Sequence, residues 1–393
     1  MSKHNGIWAN SLNRRHALQA MAGFLAGSPL LRAQQDPFRD HSRVPGLNEL
    51  VTAFDFEPVA YAKVQRFNYD YTAYGTDSEF TLRRNREAFD WVQIVPKRIL
   101  DATPVQTATE VLGTKMAFPI FVSPSAGHGQ LHPDAEAATY KGATAANTPY
   151  IVSGAATMAF DKVATSGGTG TLWYQMYPRQ DLDASRDLLE KVQAAGAKAV
   201  VVTIDQQAAE HERTLHGRNL TTRVAATRRT APTNPYRLPE YRLWYTWKYI
   251  DQIRPMIKVP MLAKGVMTGE DAKLCMEHGL DAVYVSNHGG RSLDYCPATL
   301  EVLPEIVAAV GGKIPVIFDS GIRRGSDILK ALALGASAVC LGRVPRWGLA
   351  AYGAPGVQRI LEIMQAEFVQ AMAAAGRPTL ASIDRSLLRT DFP

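Results

Sequence analysis

The sequence predicts an α/β protein, a (β/α)8 TIM barrel with an N-terminal helical capping extension, and three observations carry that prediction. From residue 118 onward, eight short apolar runs rich in valine, isoleucine and aromatic residues alternate with amphipathic segments. The runs are continuously apolar rather than alternating, the pattern of parallel strands covered on their outer face. Each run also ends in a residue that can hydrogen-bond, which core packing alone has no reason to arrange.

The expected strands are 119–123, 150–153, 172–176, 199–204, 261–264, 282–286, 316–319 and 338–342. Helical segments are expected at 134–146, 182–195, 269–278, 298–310 and 326–334. An open doubly wound sheet is the competing architecture, but no strand runs into a G-x-G-x-x-G turn. In a barrel the active site lies at the carboxyl ends of the strands. The polar residues there are Ser125, Ser153, Gln175 with Tyr177, Thr203 with Asp205, Lys264, Ser286 with His288, Asp319 with Arg323, and Gly342 with Arg343.

Ahead of the barrel, residues 47–62 read as helix. Tyr69-Asp70-Tyr71 and residues 81–91 read as a segment capping one barrel end. The domain organisation expected is therefore a leader at 1–33, an extension at 34–112 and the barrel at 113–393. The stretch 219–243, with Arg223, Arg228, Arg229 and several prolines, is long for a strand-to-helix connection and reads as a lid or docking loop.

The chain has 393 residues and a formal net charge of +6. Residues 1–33 carry Lys3, Arg14, Arg15 and Arg32 with no acid, so the remainder carries only +2 and nucleic-acid binding gains little support. The adjacent Arg14 and Arg15, followed by a short apolar run of small residues, form the pattern of a twin-arginine signal peptide. Export to the periplasm is the expectation; a cytoplasmic protein with an N-terminal extension is the alternative. Cys275 and Cys340 fall in a helix and a strand and read as small core hydrophobes. No cysteine spacing suggests a metal.

Two segments carry chemistry. Ser286-Asn287-His288-Gly289-Gly290-Arg291-Ser292-Leu293-Asp294 brings an imidazole and a guanidinium to one strand mouth. The imidazole can take a proton near neutrality, the guanidinium can grip a carboxylate, and the glycines admit close backbone approach. Asp319-Ser320-Gly321-Ile322-Arg323-Arg324-Gly325, with Leu341-Gly342-Arg343, puts glycine turns and cations on strands seven and eight, the usual phosphate corner of such barrels.

With Lys264-Gly265-Val266, these segments resemble the FMN-dependent α-hydroxy-acid oxidase and dehydrogenase family over residues 47–390. The family includes glycolate oxidase, lactate oxidase and the flavin domain of flavocytochrome b2. The resemblance implies FMN as cofactor and oxidation of a small (S)-2-hydroxy acid to its 2-oxo acid, with electrons passed to a quinone, a cytochrome or O2. FMN contacts are implied at Pro124, Ser125, Ala126, Ser153, Gln175, Thr203, Lys264 and Ser286, and its phosphate site at Asp319, Ser320, Gly321, Ile322, Arg323, Gly342 and Arg343. Substrate contacts are implied at Tyr71, Tyr177, Arg213, His288 and Arg291. The implied base is His288, with Asp205 orienting it; Tyr177 and Lys264 complete the catalytic set, Lys264 beside the flavin pyrimidine. Ala155 stands where glycolate-oxidising relatives carry a large aromatic residue, which implies room for a lactate-like or longer substrate. A homo-oligomer, a tetramer by resemblance, is also implied. The alternative of a different class is a barrel aldolase or isomerase that binds a phosphorylated substrate and uses Lys264 as a Schiff base.

Overall fold

Three short helices lead into the fold in the computed structural model, which describes residues 43–205 and 245–392. The signal-like leader, Arg213 and the stretch 219–243 lie outside the described residues. The helices are α1 (Ala53–Lys63), α2 (Arg66–Ala73) and α3 (Phe80–Glu87). The expected helix at 47–62 is split: a 3-10 turn at Leu47–Glu49 precedes α1, whose first turn is held by Asp55 Oδ2 accepting from the backbone N–H groups of Val51 and Thr52. Strand β1 (Val92–Ile94) follows, then the hairpin β2 (Thr109–Val111) and β3 (Thr114–Met116). Its turn, Leu112-Gly113, sits at the boundary expected between extension and barrel, and residues 46–393 form one compact unit.

Eight parallel strands then close a barrel in the order β4 (Ile120–Val122), β5 (Tyr150–Ser153), β6 (Leu172–Met176), β7 (Val200–Thr203), β8 (Met261–Val266), β9 (Ala282–Val285), β10 (Val316–Phe318) and β11 (Ala338–Leu341). The outer layer includes α4 (Ala135–Ala145), α5 (Phe160–Ala164), α6 (Leu182–Ala194), α7 (Trp247–Ile253), α8 (Gly269–Glu277), α9 (Thr299–Val310), α10 (Gly325–Ala333) and α11 (Arg343–Ala374). Starts and stops follow local chemistry. Asp181 accepts from the N–H groups of Asp183 and Ala184 at the head of α6, Thr268 does so from Asp271 at the head of α8, and α9 ends on Gly311 at φ +58°.

The barrel interior is a packed layer that includes Phe121, Ile151, Trp173, Val201, Leu262, Tyr284, Ile317 and Cys340. Val111 and Met116 of the hairpin join it, and Trp173 donates its indole N–H to Thr114 Oγ1 at 2.9 Å. The hairpin therefore packs into the barrel interior, a role the sequence did not announce. A second surprise is α11, which breaks at Tyr352 and Gly353, and the chain returns as β12 (Leu388–Thr390) to pair antiparallel with β1.

Register explains why the polar rim is coherent. Ser153 pairs with Gln175 and Thr203 pairs with Lys264, so neighbouring strands present their polar ends at one level. Beyond Lys264 the β8–β9 register shifts. There Gly265 adopts φ +113°, and a Cβ on it would lie 2.4 Å from Asp205 Cβ.

Candidate active site

The chain leaves β9 through a turn in which His288, Gly289 and Gly290 all have positive φ, at 59°, 70° and 76°. Glycine takes this conformation freely; histidine does so at a cost on the order of 1 kcal/mol, which the surroundings must offset. They do so with tethers. His288 N–H donates to Ser286 Oγ, Gly289 N–H to Ser320 Oγ, and Gly290 N–H to Asn287 Oδ1, all at 3.1 Å. Asn287 also exchanges a reciprocal pair of 2.8 Å side-chain bonds with Asn85 on α3. Asp294 accepts from the backbone of Ser78 and Thr81. Asn287 of the Ser-Asn-His-Gly-Gly-Arg segment and the trailing Asp294 thus dock the extension onto the barrel and stay off the cleft.

His288 Nδ1 lies 2.9 Å from Asp205 Oδ1. A carboxylate there assigns the proton to Nδ1 and leaves the Nε2 lone pair to act as a base. Asp205 is buried, which alone would raise its pKa. Nearby Lys264 and His288 outweigh the burial and hold the carboxyl below its ordinary range. The pair is therefore set to receive positive charge on the ring.

Beside these groups opens a cleft. Tyr71, Tyr177, His288, Arg291 and Lys264 line it, as do Pro124, Ser125, Ala126 and Ser153 from the first two strand ends. The corner of β10 and β11 contributes Asp319, Ser320, Gly321, Ile322, Arg323, Gly342 and Arg343. Gln175, Thr203 and Ser286 are buried at their strand ends beneath this rim. Ala155 is exposed, and its N–H donates to Ser153 Oγ at 3.1 Å.

The guanidinium groups are concentrated. Arg343 donates to the carbonyls of Thr72, Gly289 and Tyr74, and Arg323 sits 4.8 Å from the Trp347 ring. Burial, and then repulsion from Arg291 and Arg323, lowers Arg343 to about 9; burial lowers Arg323 to about 10, with Glu57 partly opposing it. Such buried cations favour an anion. Arg291 donates to the carbonyls of Tyr71 and Tyr74 and lies 4.8 Å from the Tyr71 ring, so it steadies the tyrosine as well as facing the cleft.

Asp319 lines the corner and is held there by neighbouring hydroxyls. Its oxygens accept from Ser320 Oγ at 2.8 Å, Tyr284 Oη at 2.9 Å and Ser123 Oγ at 3.3 Å. A carboxylate so held braces the corner, and the cations beside it suit a phosphate. Cys340, expected as core, lines the cleft as well as the barrel interior.

Sequence reasoning missed Arg346, Thr72 and His128. Arg346 lies one helical turn after Arg343, a spacing that puts both on one helix face, and this was the available signal. His128 is buried between Ser125 Oγ and Thr139 Oγ1, both at 2.8 Å. Burial, then the nearby Arg346, pushes its pKa well below the usual value, so it is neutral and serves as a hydrogen-bonding spacer.

Gly321 shows how tightly the corner is built. It adopts φ +86°, and a Cβ there would lie 2.0 Å from the Asn85 carbonyl oxygen. Gly321→Ala is expected to cost about 2 kcal/mol or more and to lower the melting temperature by several degrees in a calorimetric scan. An unchanged melting temperature would show that α3 yields freely.

The residues fit FMN. The Gln175 side-chain oxygen accepts from Ser153 Oγ and Gly154 N–H. Its buried amide nitrogen has no partner among the described residues and suits a heterocyclic carbonyl. Arg323 and Arg343 suit the phosphate, and the backbone at Ser320 and Gly321 is open to close approach.

Comparison with known proteins agrees. A family model described as FMN-dependent dehydrogenase matches residues 60–390. Glycolate oxidase 3 of Arabidopsis thaliana is 36% identical over 358 residues, which is 88% of this chain and 97% of that protein. 2-Hydroxyacid oxidase 2 of Rattus norvegicus is 33% identical over 347 residues, covering 86% and 98%. A solved structure of mandelate oxidase aligns with TM-score 0.79 at 32% identity, covering 87% of this chain and 99% of that one. A barrel whose rim joins a histidine–aspartate pair to a cation-lined corner thus meets full-length relatives with one chemistry, and the chain belongs to the FMN-dependent dehydrogenase family.

Proposed function

We propose that the cleft takes an (S)-2-hydroxy acid with a lactate-like or longer side chain and that His288 is the base that removes its hydroxyl proton. The enzyme is an FMN-dependent oxidoreductase acting on the CH–OH group of 2-hydroxy acids, as its family membership and its oxidase relatives establish. Nothing in the comparisons supports the Schiff-base aldolase alternative for Lys264. The observation that carries the reading is the 2.9 Å His288–Asp205 contact beside a cleft rich in buried cations.

In this reading Arg291 anchors the substrate carboxylate, with Arg213 expected to assist, and Tyr71 and Tyr177 hold substrate oxygens. His288 Nε2 accepts the hydroxyl proton, and Asp205 stabilises the imidazolium that results. FMN, when bound, would supply a two-electron acceptor for this oxidation. Lys264 supplies a fixed positive charge in the cleft that would stabilise negative charge on the reduced group. Where the Cα hydrogen departs with its electron pair, His288 Nε2 takes the hydroxyl proton; where it departs as a proton, His288 Nε2 is the base that takes it.

The small side chain of Ala155, whose N–H donates to Ser153 Oγ, supports a substrate longer than glycolate. Steady-state assays with glycolate, lactate and 2-hydroxyoctanoate test this: kcat/KM should rise from glycolate to the longer acids, and a preference for glycolate would refute it. The twin arginines at 14 and 15 support export, and an exported enzyme is suited to passing electrons to a membrane quinone or a cytochrome rather than to O2. Reoxidation of the substrate-reduced enzyme should then be much faster with a quinone analogue than in air. Replacing both arginines with lysine should move the protein from the periplasmic to the cytoplasmic fraction. The homo-oligomeric state, a tetramer in this reading, is tested by light scattering.

A further inference from the structure

Arg346 is a buried cation of the cleft that belongs neither to the phosphate corner nor to the base. It lies in the first turn of α11, is 4% exposed and faces the cleft. Its Nε and Nη2 both donate to Thr72 Oγ1, at 3.1 and 2.9 Å, and its Nη1 donates to the carbonyl of Ala126. The guanidinium lies 5.7 Å from the centre of the Tyr71 ring, which Arg291 approaches at 4.8 Å.

These contacts join three parts of the chain. Thr72 follows Tyr71 on α2, a helix of eight residues in the extension. Ala126 lies in the turn after β4, and Arg346 follows β11. A short helix offers a tyrosine little rigidity on its own, whereas a planar guanidinium bonded at two points fixes both distance and angle. Burying an arginine is costly, and this one is spent at the residue next to Tyr71.

We propose that Arg346 is a positioning residue for Tyr71. It holds the phenol in a preset arrangement with Arg291 and so governs affinity for the substrate carboxylate more than the chemical step. The inference rests on the reading of Tyr71 and Arg291 as carboxylate contacts.

The test uses FMN-loaded protein, with oxalate titrated against the flavin absorbance and KM and kcat measured for (S)-lactate. Arg346→Met should raise the oxalate Kd and the KM about tenfold while kcat falls much less. Thr72→Val keeps the charge and removes the acceptor, so it should shift both constants in the same direction; it also carries the test if Arg346→Met fails to fold. Arg346→Lys should restore only a minor part of the affinity, because one ammonium cannot reach both anchors. In a Tyr71→Phe background, Arg346→Met should add little further loss. If Tyr71→Phe weakens oxalate binding but Arg346→Met and Thr72→Val leave it unchanged, or if their losses add fully to that of Tyr71→Phe, the positioning role is overturned. Oxalate binding that is unchanged in Tyr71→Phe itself would overturn the carboxylate reading, and this inference with it.

Discussion

Replacing His288 with glutamine is expected to slow substrate-driven flavin bleaching by about 10²–10⁴-fold while FMN stays bound. Glutamine keeps a polar side chain of similar reach but has no group that takes a proton near neutrality. It also loses the 2.9 Å contact with Asp205. The cofactor corner is formed by β10 and β11, with Arg323 and Arg343 untouched, so the visible spectrum should persist. Anaerobic stopped-flow mixing with (S)-lactate measures this; near-normal bleaching in His288→Gln would remove the imidazole from the chemistry.

Asp205→Asn is expected to lower the same rate by about 10²-fold or more, for a different reason. An amide can donate to Nδ1, which moves the ring proton to Nε2 and blocks the base. It also withdraws the negative charge that receives the imidazolium. Because Asp205 acts through His288, the double variant should be hardly slower than His288→Gln alone. Full additivity would show that the two act independently.

The same carboxylate gives a pH signature. Lys264 and His288 outweigh burial and hold the Asp205 pKa below its ordinary value. Its stabilising contribution is therefore fully present above the ordinary carboxylate value near 4 and is lost as pH falls through the lowered folded value. Wild type should keep its advantage in melting temperature over Asp205→Asn down to about pH 5 and lose it in stronger acid. An advantage that vanished already between pH 7 and 5 would contradict this.

The barrel strands were legible because a strand buried on both faces has no choice but to be apolar throughout. Runs such as Tyr150–Ser153 and Leu172–Met176 coincide with the strands observed. The polar ends were legible for the converse reason, since Ser153 opposite Gln175 and Thr203 opposite Lys264 have no packing purpose. The hairpin at 109–116 was not legible: strands of three residues carry too little periodicity to register. Helix α11 was not among the expected helical segments; Pro345, Gly353 and Pro355 interrupt its pattern, and the helix breaks at Tyr352 and Gly353.

Within the site, motif reading found His288, Arg291 and the β10–β11 corner but treated the whole segment 286–294 as chemistry. Only the geometry separates His288, at the cleft, from Asn287 and Asp294, which bind Asn85, Ser78 and Thr81 of the extension. Arg346 was passed over because a second arginine in Arg343-Val344-Pro345-Arg346 resembles a charged helix surface until its 4% exposure is known. Tyr284 was read as an apolar strand residue, yet its hydroxyl braces Asp319 inside the barrel.

One measurement bears most directly on the central claim: the absorbance of the purified, FMN-loaded enzyme mixed without oxygen with each enantiomer of lactate and of 2-hydroxyoctanoate. The expected result is full bleaching by the (S) acids, none by the (R) acids, and release of the matching 2-oxo acid. A protein that holds FMN but keeps its oxidised spectrum with every 2-hydroxy acid offered would contradict the function derived from His288, Asp205 and the arginine-lined cleft.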